Sequence, residues 1–355
     1  MTDAIRVVKA ATHKPKPQDA ELTFGTVFTD HMFVADFQEE KGWYDPRVEP
    51  YAPIPLDPAA AVLHYAQAIF DGLKAFRGVD GKVRLFRPQK HVERMNNSAV
   101  RMCIPPLDPE LALRSLVTLV GLERDWVPKA LGTSLYIRPT IIANEAFLGV
   151  RPARSYIYFV ILSPVGAYYP EGMAPVKIRV EERYVRAVDG GLGGAKTGAN
   201  YAASLHAAET AKHQGFTQVL WLDGVHRKYI DEVGTMNIMV KIGGEVITPP
   251  LGGTILPGVT RDSVLTLLKD WGIKATERQI SIDEVVAAHK AGTLEEVFGT
   301  GTAAVISPVG ELAYKGQRMV INGGRTAPLT QKLYDAIVGI QYAKAPDPHH
   351  WTVEV

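Results

Sequence analysis

The chain has almost no cysteine. Cys103 is the single one in 355 residues, which excludes an intrachain disulfide and a cysteine-rich zinc site and fits a reducing compartment. It has almost no net charge either, since 39 basic side chains stand against 38 acidic ones and leave +1. That excludes a sequence-wide basic field of the kind nucleic-acid binders use, and no nucleic-acid partner is expected. Long apolar runs are missing: the densest, Tyr156 to Leu162, falls far short of the ~20 residues that span a bilayer. The N-terminal stretch lacks a signal-peptide core, and Asp3, Asp19 and Glu21 argue against a transit segment. These absences predict a soluble, cytoplasmic protein with no membrane partner. His349-His350 stands without further ligands nearby in sequence, so no metal site is expected. No internal repeat is apparent.

What is there is a globular composition, 46% apolar and 22% charged. At about 150 residues per domain the length suggests two domains. Residues 1–20 are polar, carry Pro15 and Pro17, and predict a poorly ordered arm. Pro164 to Gly172 is rich in proline and glycine; we place an interdomain linker at 164–176, between a domain over 21–163 and another over 177–355. Pro88 precedes the helical spacing Val92, Met95, Ala99, Met102, and Asp108-Pro109 reads as an N-cap with proline at the first helical position. Cys103 is read as a small packed hydrophobe on that first helix. Leu135–Arg138, Tyr156–Leu162, Val176–Val180, Gln218–Leu222, Met236–Ile242 and Glu245–Thr248 read as strands. Ser281 to Glu284 has the capping-box pattern, and a last helix runs through Leu329, Leu333, Ala336 and Ile340. The mixture is α/β or α+β in two lobes.

The most unusual segment is Gly190-Gly-Leu-Gly-Gly-Ala-Lys196-Thr-Gly-Ala-Asn-Tyr201. Three readings fit it: a solvated loop lysine, a phosphate loop, and a lysine poised to form a Schiff base. Ala195 stands where the phosphate-loop pattern wants its second glycine, although Val219 to Asp223 could pass for its strand with a magnesium-binding carboxylate. Residue type alone leaves the three open. Downstream, Glu232 in Asp231-Glu-Val-Gly-Thr235-Met-Asn237 is either an ordinary strand-start residue or a carboxylate for a protonated ring nitrogen. Pro257-Gly-Val259-Thr260 feeds a helix and reads either as an anion site or as a plain helix start with Thr260 as N-cap. Gly299-Thr-Gly-Thr302-Ala303-Ala304 offers amides and hydroxyls to an anion, or a tight turn.

The order AKTGANY, DEVGTMN, LPGVTRD, FGTGTAA resembles the fold-type IV pyridoxal-phosphate aminotransferases. Upstream, FTDHM, LHYAQAIFDGLKAF, VRLFRPQKHVERMNNSAVRMC, GTSLYIRP and NEAFLGV narrow the resemblance to the branched-chain amino-acid aminotransferases, over about Phe24 to Tyr342. The resemblance implies two domains, a smaller N-terminal α/β domain and a larger C-terminal pseudo-barrel. It implies pyridoxal 5′-phosphate held covalently by Lys196, with Tyr201 on the phenolic oxygen and Glu232 on the pyridine nitrogen. Arg94, Val259, Thr260 and Thr302 would hold the phosphate, with Thr235 also at the cofactor. Tyr65 and the Thr302–Ala303 amides would meet the substrate α-carboxylate, and Arg138 would organise that end. Phe24, Phe70, Tyr136, Tyr168, Thr235 and Ala304 would line the side-chain cavity. Tyr65, Leu148 and Val150 would come from a neighbouring subunit, so a homodimer is implied. The implied reaction is reversible ping-pong transamination of L-leucine, L-isoleucine and L-valine with 2-oxoglutarate, yielding branched 2-oxo acids and L-glutamate. Ala304 and Ser307 stand where animal members carry a Cys-x-x-Cys pair, so no thiol switch is expected. The rivals are a D-amino-acid aminotransferase or aminodeoxychorismate lyase of the same fold, a phosphate-loop nucleotide hydrolase, and a non-catalytic binding protein.

Overall fold

The computed structural model describes residues 4–166 and 173–355. They fall into two units. One holds residues 4–166, Ala195–Gly198 and Gly339–Val355; the other holds 173–194 and Ala199–Val338.

The first unit is built on a nine-stranded sheet. Its strands are β1 (Arg6–Val7), β2 (His31–Gln38), β3 (Gly42–Pro50), β4 (Ala68–Phe70), β5 (Leu73–Arg77), β6 (Val83–Phe86), β7 (Ser134–Ala143), β8 (Ser155–Val165) and the C-terminal strand Thr352–Glu354. The order is β1-β3-β2-β8-β7-β5-β6 and then the C-terminal strand, with β4 on β7. Residues 61–65 form the short helix α1 (Ala61–Tyr65). Two longer helices, α2 (Pro88–Arg101) and α3 (Pro109–Leu122), share the unit's core with the sheet. Both begin with proline at the first helical position, where its missing N–H costs nothing. Asp108 caps α3 by accepting from the Glu110 N–H at 3.0 Å.

Four expectations change here. The N-terminal arm is tied down: β1 pairs with β3, and the Lys14 N–H and His13 ring bond the buried Asp30 carboxylate at 2.8 and 2.9 Å. A buried carboxylate needs such partners, and the arm supplies them. β8 runs through Pro164 and Val165, past the expected start of the linker. Pro164 is tolerated because the pairing of β8 with β2 has already ended, at Val160, so no ladder bond is lost on that side. The C-terminal segment belongs to the first unit, since Thr352–Glu354 pairs with β6 and Arg87 stacks on Trp351. Cys103 is exposed and lies beyond α2, in the left-handed conformation. It is the turn residue of a Schellman stop in which the Ile104 N–H reaches the Ala99 carbonyl at 2.9 Å.

The second unit carries β9 (Val176–Val180), β10 (Gln218–Leu222), β11 (Ile230–Val233), β12 (Asn237–Ile242), β13 (Glu245–Thr248), β14 (Ala275–Glu277), β15 (Leu294–Gly301), β16 (Val305–Tyr314) and β17 (Gln317–Val320). The order is β11-β10-β9-β16-β15-β12-β13-β14, with β17 on β16. β11 is an edge in that order, yet Val233 and Met236 bridge it to β12 through a two-residue turn. The path from β11 through β10, β9, β16 and β15 to β12 therefore returns to its own chain neighbour, and the sheet curls into a pseudo-barrel. Gly299 and Gly301 on β15 permit the curl, because a Cβ at Gly299 would lie 2.7 Å from the Met236 methyl.

The helices are α4 (Gly198–His213), α5 (Val259–Asp270), α6 (Ile282–Lys290) and α7 (Pro328–Gln341). Two caps differ from expectation. α5 starts two residues early, with Gly258 as N-cap and no side-chain cap, so Thr260 is helical rather than capping. At α6 the Ser281 hydroxyl accepts from the Glu284 N–H, but the Glu284 carboxylate pairs with Arg278 at 2.6 Å instead of closing the box; a guanidinium is the stronger partner.

Candidate active site

In the first unit the sequence expectation gathers around Lys196. The backbone beside β4 is fixed by three bonds: Phe70 N–H to the Lys196 carbonyl (3.0 Å), Lys196 N–H to the Ser98 hydroxyl (2.9 Å) and Thr197 hydroxyl to the Ala68 carbonyl (2.8 Å). The half-buried lysine amine sits 5.0 Å from the centre of the Phe70 ring. Arg138 lies 4.7 Å from that ring and donates to the Tyr136 hydroxyl at 2.9 Å. Its buried Nε has no hydrogen-bond partner among the described residues, which suits an incoming carboxylate. Phe24 packs edge-on against Tyr136 at 5.0 Å. Gly72 makes this possible, since a Cβ there would lie 1.9 Å from the Tyr136 hydroxyl.

Arg94 stands on the buried face of α2, one turn from His91 and from Ser98. Its Nε and Nη2 bond the two oxygens of Asp71 at 2.9 and 2.7 Å. His91 Nδ1 meets the same carboxylate at 2.7 Å. Burial alone would raise the Asp71 carboxyl, but Arg94 and His91 together hold it well below the usual range. Burial pushes the His91 imidazole down despite Asp71. Asp71, His91 and Ser98 were not among the expected site residues. The spacing 91, 94, 98 is a helical stripe, but it is masked by the apolar stripe 92, 95, 99 beside it.

In the second unit Glu232 is buried on β11. Its Oε2 accepts from Arg186 Nε at 2.8 Å, and its Oε1 accepts from the Leu256 N–H at 2.8 Å and from Asn237 at 3.4 Å. Asn237 also donates to the Leu256 carbonyl at 2.9 Å. A Cβ at Gly258 would fall 1.9 Å from Asn237 Oδ1. The segments DEVGTMN and LPGVT are thus one interlocked structure, and the glutamate sits beside the uncapped start of α5, where Val259 and Thr260 are buried. Backbone N–H groups there and the helix dipole favour an anion. Thr302, Ala303 and Ala304 form the turn between β15 and β16, and Tyr201 is in the first turn of α4. Thr235 is exposed in the β11–β12 turn.

The remaining expectations fall elsewhere. Leu148 and Val150 are 73% and 91% exposed, and Tyr65 is 40% exposed beside Phe147. None of the three has a described contact with the Lys196 cluster. Tyr168 lies outside the described residues. The phosphate-loop rival loses its carboxylate: Asp223 accepts four backbone N–H groups, from Val225, His226, Lys228 and Tyr229 at 2.6–3.1 Å, and is spent on closing its own loop. No helix among the described residues is long and apolar enough to cross a membrane.

Comparison with known proteins adds to this geometry. The amino-transferase class IV family model matches residues 68–312. The chain is 58% identical to branched-chain-amino-acid aminotransferase 2 of Bacillus subtilis over 99% of its own length and 97% of the relative's. It is 54% identical to branched-chain-amino-acid transaminase 1 of the same organism over the whole of both chains. Among solved structures it is similar to Escherichia coli branched-chain amino acid aminotransferase, with a TM-score of 0.77, 25% identity and coverage of 91% of this chain and 98% of that one. The branched-chain amino acid aminotransferase of Thermobaculum terrenum, solved in its PLP-bound holo-form, has the same fold, with a TM-score of 0.74, 20% identity and coverage of 92% and 98%.

Proposed function

The chain belongs to the class IV aminotransferases, and from that membership we propose that it transfers the amino group of L-leucine, L-isoleucine and L-valine reversibly to 2-oxoglutarate. The observation that carries this reading is the 58% identity with a branched-chain enzyme across 99% of the chain. The cofactor of the family is pyridoxal 5′-phosphate, and the residues present fit it. A buried carboxylate, Glu232, suits a ring N–H; a helix start at Val259–Thr260 with no side-chain cap suits a phosphate; and a half-buried lysine, Lys196, suits an aldehyde carbon.

When bound, pyridoxal phosphate supplies the electron sink and carries the amino group between two half-reactions. Lys196 Nζ holds it and then moves the proton from the substrate Cα, first as base and then as acid. Glu232 keeps the ring nitrogen protonated, with Tyr201 at the phenolic oxygen. Arg94, presented by Asp71, would bind the phosphate, as would Val259, Thr260 and Thr302, and Thr235 would also serve the cofactor. Tyr65 and the Thr302–Ala303 amides take the substrate α-carboxylate. Phe24, Phe70 and Tyr136 offer a mainly apolar surface to the substrate side chain, a role the family resemblance also gives to Tyr168 and Ala304; on such a surface one methylene changes binding by about 1–3 kcal/mol, so three branched substrates are accepted together. The γ-carboxylate of glutamate is received by Arg138 and the tyrosine hydroxyls.

A homodimer in the cytoplasm completes the reading. The dimer is supported by the exposure of Leu63, Tyr65, Leu148 and Val150, with the Tyr65 ring beside Phe147, since large apolar side chains left at a surface mark association sites. The test is turnover of L-leucine with 2-oxoglutarate, with D-alanine as the competing donor. L-Leucine turnover that disappears in Lys196→Ala is expected. Turnover of D-alanine alone, or full activity in the variant, would refute the assignment.

A further inference from the structure

We infer that Arg186 is a positioning residue that keeps the negative charge on Glu232 rather than on its buried neighbour Asp231, and so sets the protonation of the ring nitrogen that Glu232 serves. The inference rests on the role of Glu232 proposed above. Arg186 lies ten residues before Lys196, outside every motif that carried the family resemblance. Its side chain is 8% exposed and that of Glu232 3%. Besides the 2.8 Å bond from Nε to Glu232 Oε2, its Nη1 reaches the Thr254 carbonyl at 2.5 Å, and Nη1 and Nη2 approach the Gly193 carbonyl at 3.4 and 3.3 Å. The guanidinium is therefore held by backbone on its far side and by the carboxylate on its near side. The two loops that hold it fit only because residue 193 is glycine, as a Cβ there would lie 2.4 Å from the Thr254 carbonyl oxygen.

The charge problem it addresses is local. Asp231 and Glu232 are consecutive and both buried, 6% and 2% exposed. Two neighbouring carboxylates in such a place do not both ionise without a cation, and the one without the cation takes the proton. Among the described contacts, Asp231 is faced by Glu232, Arg186, Asp223 and Thr254, and Glu232 by Arg186, Asp231, Asn237 and the Leu256 N–H. Only Arg186 among them is cationic, and its hydrogen bond goes to Glu232. Asp231 Oδ2 is buried with no hydrogen-bond partner among the described residues. The guanidinium lies against Glu232, so ionisation of Glu232 is favoured over that of Asp231, which is the carboxyl that keeps its proton to higher pH. Without Arg186 that bias vanishes, Glu232 competes for the proton, and a neutral carboxyl no longer holds the ring nitrogen charged.

The experiment uses full-length enzyme loaded with pyridoxal phosphate labelled with 15N at the ring nitrogen, whose chemical shift reports its protonation. Four variants are compared with the parent between pH 6 and 9: E232Q, R186M, R186K and the double variant R186M/D231N. The parent is expected to show a protonated nitrogen throughout. R186M should shift toward the neutral form and show a titration within the range, with a fall in kcat of at least tenfold. R186K should lie between the two, and R186M/D231N should move back toward the parent because the competing carboxylate is gone. If R186M does not fold, R186K carries the test through a weaker version of the same shift. A parent-like shift in both Arg186 variants, while E232Q is altered, overturns the inference. So does a double variant no nearer the parent than R186M. A parent-like shift in E232Q would instead remove the role of Glu232 itself.

Discussion

Replacing Asp231 by asparagine removes a carboxyl group that folding makes costly to ionise. In the folded protein its pKa is raised to about 7, first by burial and then by the charge of Glu232. In the unfolded chain it is that of an ordinary aspartate, about 3.9. Below about pH 4 the group is neutral in both states and contributes nothing. As pH rises through the interval, the unfolded chain ionises while the folded one does not, so stability is lost up to about pH 7 and then levels off. Three pK units correspond to about 4 kcal/mol, of which about 1.5 kcal/mol has accrued by pH 5. Asparagine has no such penalty and nearly the same shape. Asp231→Asn should therefore be the more stable protein, by about 1.5 kcal/mol at pH 5 and about 4 kcal/mol at pH 8. Equilibrium urea unfolding at fixed cofactor concentration reads this, followed by tryptophan fluorescence; Trp221 is buried in the same unit, with its indole N–H on the Gly234 carbonyl. A stability difference that is flat with pH, or that shrinks as pH rises, would refute the reasoning.

Asp71→Asn leaves Arg94 buried without its carboxylate and should destabilise the first unit by about 3–5 kcal/mol, read as a lower urea midpoint with an unchanged slope; a loss under 1 kcal/mol would mean that the pairing is not structural. Gly72→Ala forces a Cβ into the Tyr136 hydroxyl, and overpacking of this kind costs about 1–3 kcal/mol; KM for 2-oxoglutarate should rise more than KM for L-leucine, because Tyr136 orients Arg138. Placing glutamate at Leu148 and Val150 together should turn a dimer into a monomer in sedimentation at micromolar protein, while an unchanged sedimentation coefficient would place the interface elsewhere.

The regular elements were largely legible because their signals are local. Pro88 and Asp108-Pro109 mark two helix starts, and β9, β10, β12 and β13 begin and end within a residue or so of their apolar runs. The errors arise where a distant partner decides. Nothing near His13 and Lys14 in sequence reveals that Asp30 will be buried and draw the arm onto the sheet. Arg278 is close to Glu284 in sequence, but the capping-box pattern counts only positions 281 and 284 and misses a guanidinium before the helix that outcompetes the Ser281 N–H. The C-terminal segment reads as part of the second lobe until its pairing with β6 is known. The site divides the same way. Lys196 and Glu232 stand in segments of unusual composition and are found by motif. Asp71, Arg186 and the Asn237–Gly258 lock act through other residues, and only the fold brings them to those partners.

Everything proposed for the site depends on Lys196 carrying the cofactor of branched-chain transamination. The most direct test is reduction of the cofactor-loaded protein with borohydride, followed by peptide mapping. One phosphopyridoxyl label per chain is expected, on the peptide containing Lys196, with protection from labelling when L-leucine is added first. A label on another lysine, or no label on a protein that still exchanges amino groups between leucine and 2-oxoglutarate, would contradict it.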